Sequence, residues 1–191
     1  SFNRQDFYPF KKKFLISEIQ YLLKDIISEY NINHNFEVED ISSITKIRKN
    51  SIIFIEKNIN NINFNQENIC VVTNDLNYFN VNQNVFLVSN LNKAYNLIIN
   101  SMFYHDDIKN YPDEFLNQNG SYISRYSKIH DSVNIGKNCV ISRGVIIGKN
   151  SIIKNNVVIK SSILGDNVII SDSSSIGTSG FGFDFYNRGS T

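Results

Sequence analysis

An imidazole is the side chain best suited to taking a proton near neutral pH, and the chain carries three, His34, His105 and His130. His34 and His105 lie in or beside loop-like stretches, whereas His130 directly follows Ile129 in a periodic segment. The periodic segment does not supply the three histidine ligands of a trimeric zinc site, and His130 is expected to have a structural or surface role. No metal and no cofactor is expected. Near the end of the sequence, Gly180-Phe181-Gly182-Phe183 alternates residues that tolerate positive φ with flat apolar rings. Such glycine-flanked aromatics either cover an open edge of a fold or touch a substrate. The thiols of Cys70 and Cys139 lie far apart in sequence, so a mutual disulfide is not expected and a reducing compartment fits. The basic run Lys11-Lys12-Lys13 reads as a solvated face.

What must position these groups is first of all a repeat. Written six residues at a time from Ile123, the chain reads ISRYSK, IHDSVN, IGKNCV, ISRGVI, IGKNSI, IKNNVV, IKSSI, LGDNVI, ISDSSS and IGTSGF. Position one is always Ile or Leu, position two is often Gly or another small residue, and position five is mostly Ser, Val, Cys or Ile. A coil with three flat sides of about six residues explains the pattern: the first residue of each side points into a narrow prism and the fifth fits near a corner. Coils of about 18 residues then stack at the ordinary strand spacing of ~4.8 Å. Cys139, at a fifth position, reads as a core filler. The unit from Ile159 to Ile163 is one residue short, and a local irregularity is expected at its corner.

Ahead of the repeat the texture differs. Ile19, Leu22, Leu23, Ile26 and Ile27 fall at helical spacing within Ser17–Tyr30, with Ser17 placed to cap the helix. Short β-branched and aromatic runs follow at Ser51–Ile55, Ile69–Thr73 and Asn84–Val88, divided by Asn-rich turns. A second helical pattern covers Asn92–Tyr104. These pieces predict a small α/β domain with a mixed sheet over residues 1–104, an aperiodic linker over 105–120 rich in Asp, Asn, Pro and Gly, and a hexapeptide-repeat domain over 121–191. A formal net charge of +1 supplies no field that would gather nucleic acid or anionic lipid. No stretch approaches the ~18 apolar residues of a transmembrane span, and a cytoplasmic location is expected.

Beyond the hexads, the chain as a whole resembles the UDP-3-O-acylglucosamine N-acyltransferases of lipid A biosynthesis. A helix like LISEIQYLL, a segment like VEDISSITKIRKNSIIF, a helix like NKAYNLIINSMFY and the Gly-Phe-Gly segment IGTSGFGF occur here in the family's order. The resemblance implies a left-handed parallel β-helix, a homotrimer, and transfer of a 3-hydroxyacyl chain from acyl carrier protein to the 2-amino group of a UDP-sugar substrate. It also implies a uridine-binding role for the N-terminal domain. Phe54 matches the position whose ring stacks on uracil, and Lys57 follows it as a phosphate contact, although Phe54 reads equally well as a core residue of a strand.

The resemblance further places the catalytic imidazole several coils beyond Thr191, so the chain is expected to be the N-terminal portion of a longer enzyme and to lack transfer activity alone. Gly180, Phe181, Gly182 and Phe183 become candidates for substrate contact. Two other readings stand beside this one: a nucleotide-sugar acetyltransferase using acetyl-CoA, and a non-catalytic trimeric repeat protein that kept the fold without the histidine.

Overall fold

The structure, a computed structural model, describes residues 7–56, 62, 64–78, 83–104 and 112–178. Lys57, His105, Gly180, Phe181, Gly182 and Phe183 lie outside the described residues. The chain divides into two compact units, Phe10–Phe103 and the pair of segments Ser1–Pro9 and Tyr104–Thr191. Of the described residues, 7–9 group with the repeat. Among the described residues no helix is long and apolar enough to cross a membrane.

In the α/β unit, helix α1 covers Ile16–Leu22, shorter than the predicted Ser17–Tyr30. Its N-cap is Leu15, not Ser17, and the Glu18 carboxylate accepts from the Leu15 N–H at 2.9 Å while bridging to Lys12 at 2.7 Å. Leu23 ends the helix, and Ile27–Asn31 forms strand β1. Two β-branched residues at helical spacing suit a strand as well. The deciding factor is tertiary: β1 pairs antiparallel with the fully buried β5 and gives it its second neighbour.

The remaining strands are β2 (Asp40–Ile41), β3 (Ser51–Ile55), β4 (Ile69–Thr73) and β5 (Asn84–Val88). They form a sheet in the order β1-β5-β4-β3-β2, parallel except for β1. Continuous apolar runs are what a parallel sheet covered on both faces requires. Ile53, Ile55, Ile69, Val71 and Val85 pack on one face with Tyr78, Ile44, Ile47, Ile62 and Phe64. Helix α2 (Leu91–Met102) packs against β4, burying Ala94, Ile98 and Met102. The side chain of Asn90 caps α2 by accepting from Lys93 N–H at 2.9 Å.

The second unit is a parallel β-helix. Strand β6 (Phe115–Gln118), inside the stretch expected as linker, pairs antiparallel with β7 (Ser121–Ser124) through Asn119-Gly120, both at positive φ. That is the two-residue turn whose twist suits a hairpin. From there, among the described residues, nine two-residue strands follow: β8 (Lys128–Ile129), β9 (Asn134–Ile135), β10 (Val140–Ile141), β11 (Ile146–Ile147), β12 (Ile152–Ile153), β13 (Val158–Ile159), β14 (Ile163–Leu164), β15 (Ile169–Ile170) and β16 (Ser175–Ile176). They stack as three parallel ladders, β7-β10-β13-β16, β8-β11-β14 and β9-β12-β15, with β6 on the outside of β7. Position-one residues Ile123, Ile141, Ile147, Ile153 and Ile159 and position-five residues Cys139, Val145 and Val157 make the buried core. Each such isoleucine contributes about 1.5–3 kcal/mol by leaving water.

Position four carries the corner: Asn138, Gly144, Asn150, Asn156, Asn167 and Ser173 all sit at positive φ, a conformation that short polar side chains tolerate best after glycine. Coils are also tied through side chains. Asn155 Oδ1 accepts from Lys137 N–H, Asp172 Oδ1 from Asn155 N–H and Asp166 Oδ1 from Lys149 N–H, each at 2.9 Å. These ties leave no room above certain glycines: a Cβ on Gly148 would lie 2.4 Å from Asp166 Oδ1 and 2.5 Å from the Gly165 carbonyl carbon.

The short unit is where expected. Register partners are 18 residues apart from Tyr122 to Val140 to Val158, and 17 apart from Val158 to Ser175. The deficit is taken up at Ser161, whose φ is +43°, and Gly177 of the next coil closes over it so tightly that a Cβ there would lie 1.8 Å from Lys160 O. Tyr8 donates its hydroxyl proton to Ser161 Oγ at 3.1 Å.

Candidate functional site

In the α/β unit, the parallel register aligns Ile55 with Thr73 and Thr73 with Leu87. The chain therefore leaves β3, β4 and β5 along one edge, at Glu56, Asn74 and Ser89, and α2 begins directly after the last of these. A cleft of about 340 Å³ opens there, lined by Glu56, Asn74, Ser89, Asn90, Leu91 and Asn92. Open α/β sheets bind ligands outside the carboxyl ends of their parallel strands, where backbone ends and loops converge.

Phe54 precedes Glu56 by two residues in the extended chain and so shares its face of the sheet. Its ring is half-buried and meets the Tyr95 ring of α2 edge-on, with centroids 5.0 Å apart and planes at 72°. Tyr95 is 41% exposed, so the pair lies at the rim of the helix layer and not at the centre of the core. An edge-on contact uses the rim of one ring and fixes its orientation.

The cleft's lining is polar and short. Asn90 spends its carbonyl oxygen on the α2 cap, and among the described residues its amide has no acceptor. Among the described residues Glu56 has neither a hydrogen-bond nor an ion-pair partner, and its side chain is exposed. A larger groove of about 480 Å³ runs over α1 beside Lys12, Phe14, Glu18, Tyr21 and Lys24, but its charges are already engaged. Lys12 is paired with Glu18, holding that carboxyl below its usual range, and Lys24 sits 4.6 Å over the Tyr21 ring. The smaller cleft is the better candidate.

No histidine is among the described residues that line it. The His34 backbone is pinned by Asn84, whose Oδ1 accepts from His34 N–H at 3.0 Å and whose Nδ2 donates to His34 O at 2.7 Å. His130 sits at an exposed corner of the β-helix, its Nδ1 accepting from Ser132 N–H at 3.2 Å. Both cysteines are free and buried, and burial pushes the Cys70 thiol up. The lysine run is partnered at the surface: Lys12 with Glu18, Lys13 with Glu37 at 3.1 Å, and Lys11 Nζ with the Asn100 carbonyl at 2.9 Å.

Of the residues proposed from sequence to contact substrate, then, the structure describes Phe54 alone. Glu56, Asn74, Ser89, Asn90, Asn92 and Tyr95 were not among them. The signal that points to them is positional: each of the first three closely follows one of the β-branched strand runs at Ser51–Ile55, Ile69–Thr73 and Asn84–Val88.

Residues 126–161 match the sequence model of the family described as bacterial transferase hexapeptide (six repeats). The match lies wholly within the β-helix, and it agrees with the stacked coils seen there. No curated protein matches the chain.

Proposed function

We propose that this chain serves acyl transfer to a nucleotide sugar: the α/β unit holds the nucleotide end of a UDP-3-O-acylglucosamine, and a 3-hydroxyacyl chain delivered by acyl carrier protein is passed to the 2-amino group. The observation that carries this reading is the cleft at the carboxyl ends of β3, β4 and β5, whose lining residue Glu56 follows Phe54 by two residues, with Phe54 held edge-on by Tyr95, on a chain whose other unit has the hexapeptide repeat of bacterial transferases. An aromatic face can cover a base for about 1 to 3 kcal/mol. Asparagine side chains both donate and accept, and so suit the imide edge of uracil.

Calorimetry of the chain with UDP-N-acetylglucosamine tests the reading. Saturable heat is expected in the micromolar to millimolar range, and no heat at millimolar ligand would remove the nucleotide-sugar assignment.

A further inference from the structure

Resting on the reading of the cleft as a nucleoside site, we propose that Glu56 is its specificity-determining residue: its carboxylate accepts from the vicinal hydroxyls of a ribose, selecting ribonucleosides over deoxyribonucleosides. Among the described residues that line the cleft, Glu56 is the one charged side chain. It stands where β3 ends, on the sheet face that carries Phe54. A ring stacked against a base and a carboxylate two residues along an extended strand are ~6.6–6.8 Å apart along the backbone, about the span from the middle of a nucleobase to its sugar.

The chemistry of the group narrows the occupant further. An ionised carboxylate only accepts hydrogen bonds, with two oxygens that match two neighbouring hydroxyl donors. It repels phosphate, so the sugar enters the cleft and the phosphates point away from it. The remaining polar lining, Asn74, Ser89, Asn90 and Asn92, carries no charge of either sign. That lining suits the neutral, nucleoside end of a nucleotide. The Glu56 side chain is exposed, which puts its carboxylate within reach of a ligand.

The test is calorimetric titration of the full chain and of Glu56→Gln with uridine and with 2′-deoxyuridine, the thermal midpoint being checked for both proteins. Glu56 is exposed, and its substitution is expected to leave that midpoint unchanged. Loss of one charge-assisted hydrogen bond corresponds to roughly tenfold in affinity. The unaltered chain is therefore expected to prefer uridine by about tenfold, and Glu56→Gln to reduce the preference to less than about threefold. Equal binding of the two nucleosides by the unaltered chain, or a preference that survives in Glu56→Gln, would overturn the role of Glu56 and leave the nucleotide site standing. Binding of neither nucleoside, together with no heat from UDP-N-acetylglucosamine, would overturn both.

Discussion

At the scale of single residues, the contact between Phe54 and Tyr95 decides most. A strand phenylalanine packed wholly into the core would be lost to ligand, but this ring is only half-buried and its neighbour meets it edge-on. Phe54→Ala is expected to weaken binding of UDP-N-acetylglucosamine by about 10- to 100-fold, the range that loss of one base stack predicts. Equal binding by the variant in calorimetry would contradict the stacking role. Asp172 offers a second residue-scale expectation. Its carboxylate accepts from the backbone N–H of Asn155 and, at 3.1 Å, from the side-chain amide, which holds it below its ordinary range. A folded pKa that is depressed stabilises the protein above the unfolded value of ~3.9 and loses that contribution as pH falls through the folded value. Thermal midpoints of the chain and of Asp172→Asn should therefore differ most near neutrality and converge below about pH 4.

At the scale of elements, the glycines of the repeat separate into positions with and without a stacking constraint. Gly148→Ala drives a methyl group into Asp166 and the backbone of Gly165, whereas among the described residues nothing lies within 4 Å of a Cβ on Gly165. The first substitution is expected to cost about 1–3 kcal/mol and the second less than about 0.5 kcal/mol, as read from denaturant midpoints. The same stacking explains which elements were legible in the sequence. Hexad position one repeats one kind of side chain in one phase, so the inward face from Ile123 to Ile176 is legible in the sequence itself. Ile26 and Ile27 could not be assigned locally, because two adjacent β-branched residues satisfy helical spacing and strand propensity alike. Only the open edge of β5 decides between them. Strand β6 was hidden in a stretch read as linker, although Asn119-Gly120 is itself a hairpin signal. The cleft was least legible of all: Glu56, Asn74 and Asn90–Asn92 come from three separate segments, and each resembles ordinary turn punctuation until the parallel register brings them together.

At the scale of the molecule, the outer faces of the β-helix carry exposed isoleucines at register positions. Ile152 and Ile169, 41% and 63% exposed, are register partners on one face, and Ile163, 52% exposed, pairs with Ile146 on another. Packing of such faces around a threefold axis would cover them. Light scattering is expected to give three times the 22.0 kDa chain mass, and a double variant, Ile152→Lys with Ile169→Lys, is expected to give the monomer. A monomeric unaltered chain would contradict the trimer. The 17-residue step between the second and third coils bears on how the prism threads. In a stack of identical 18-residue turns, a chain that slips by one whole turn still puts every isoleucine inside, and misthreaded and native forms differ little in energy. Here the stacking over the Ser161 corner leaves room at position 177 for glycine and not for a Cβ, and among the described residues that shortened corner occurs once. The missing residue breaks the translational symmetry of the solenoid, so that one alignment of the turns is favoured over its slipped copies.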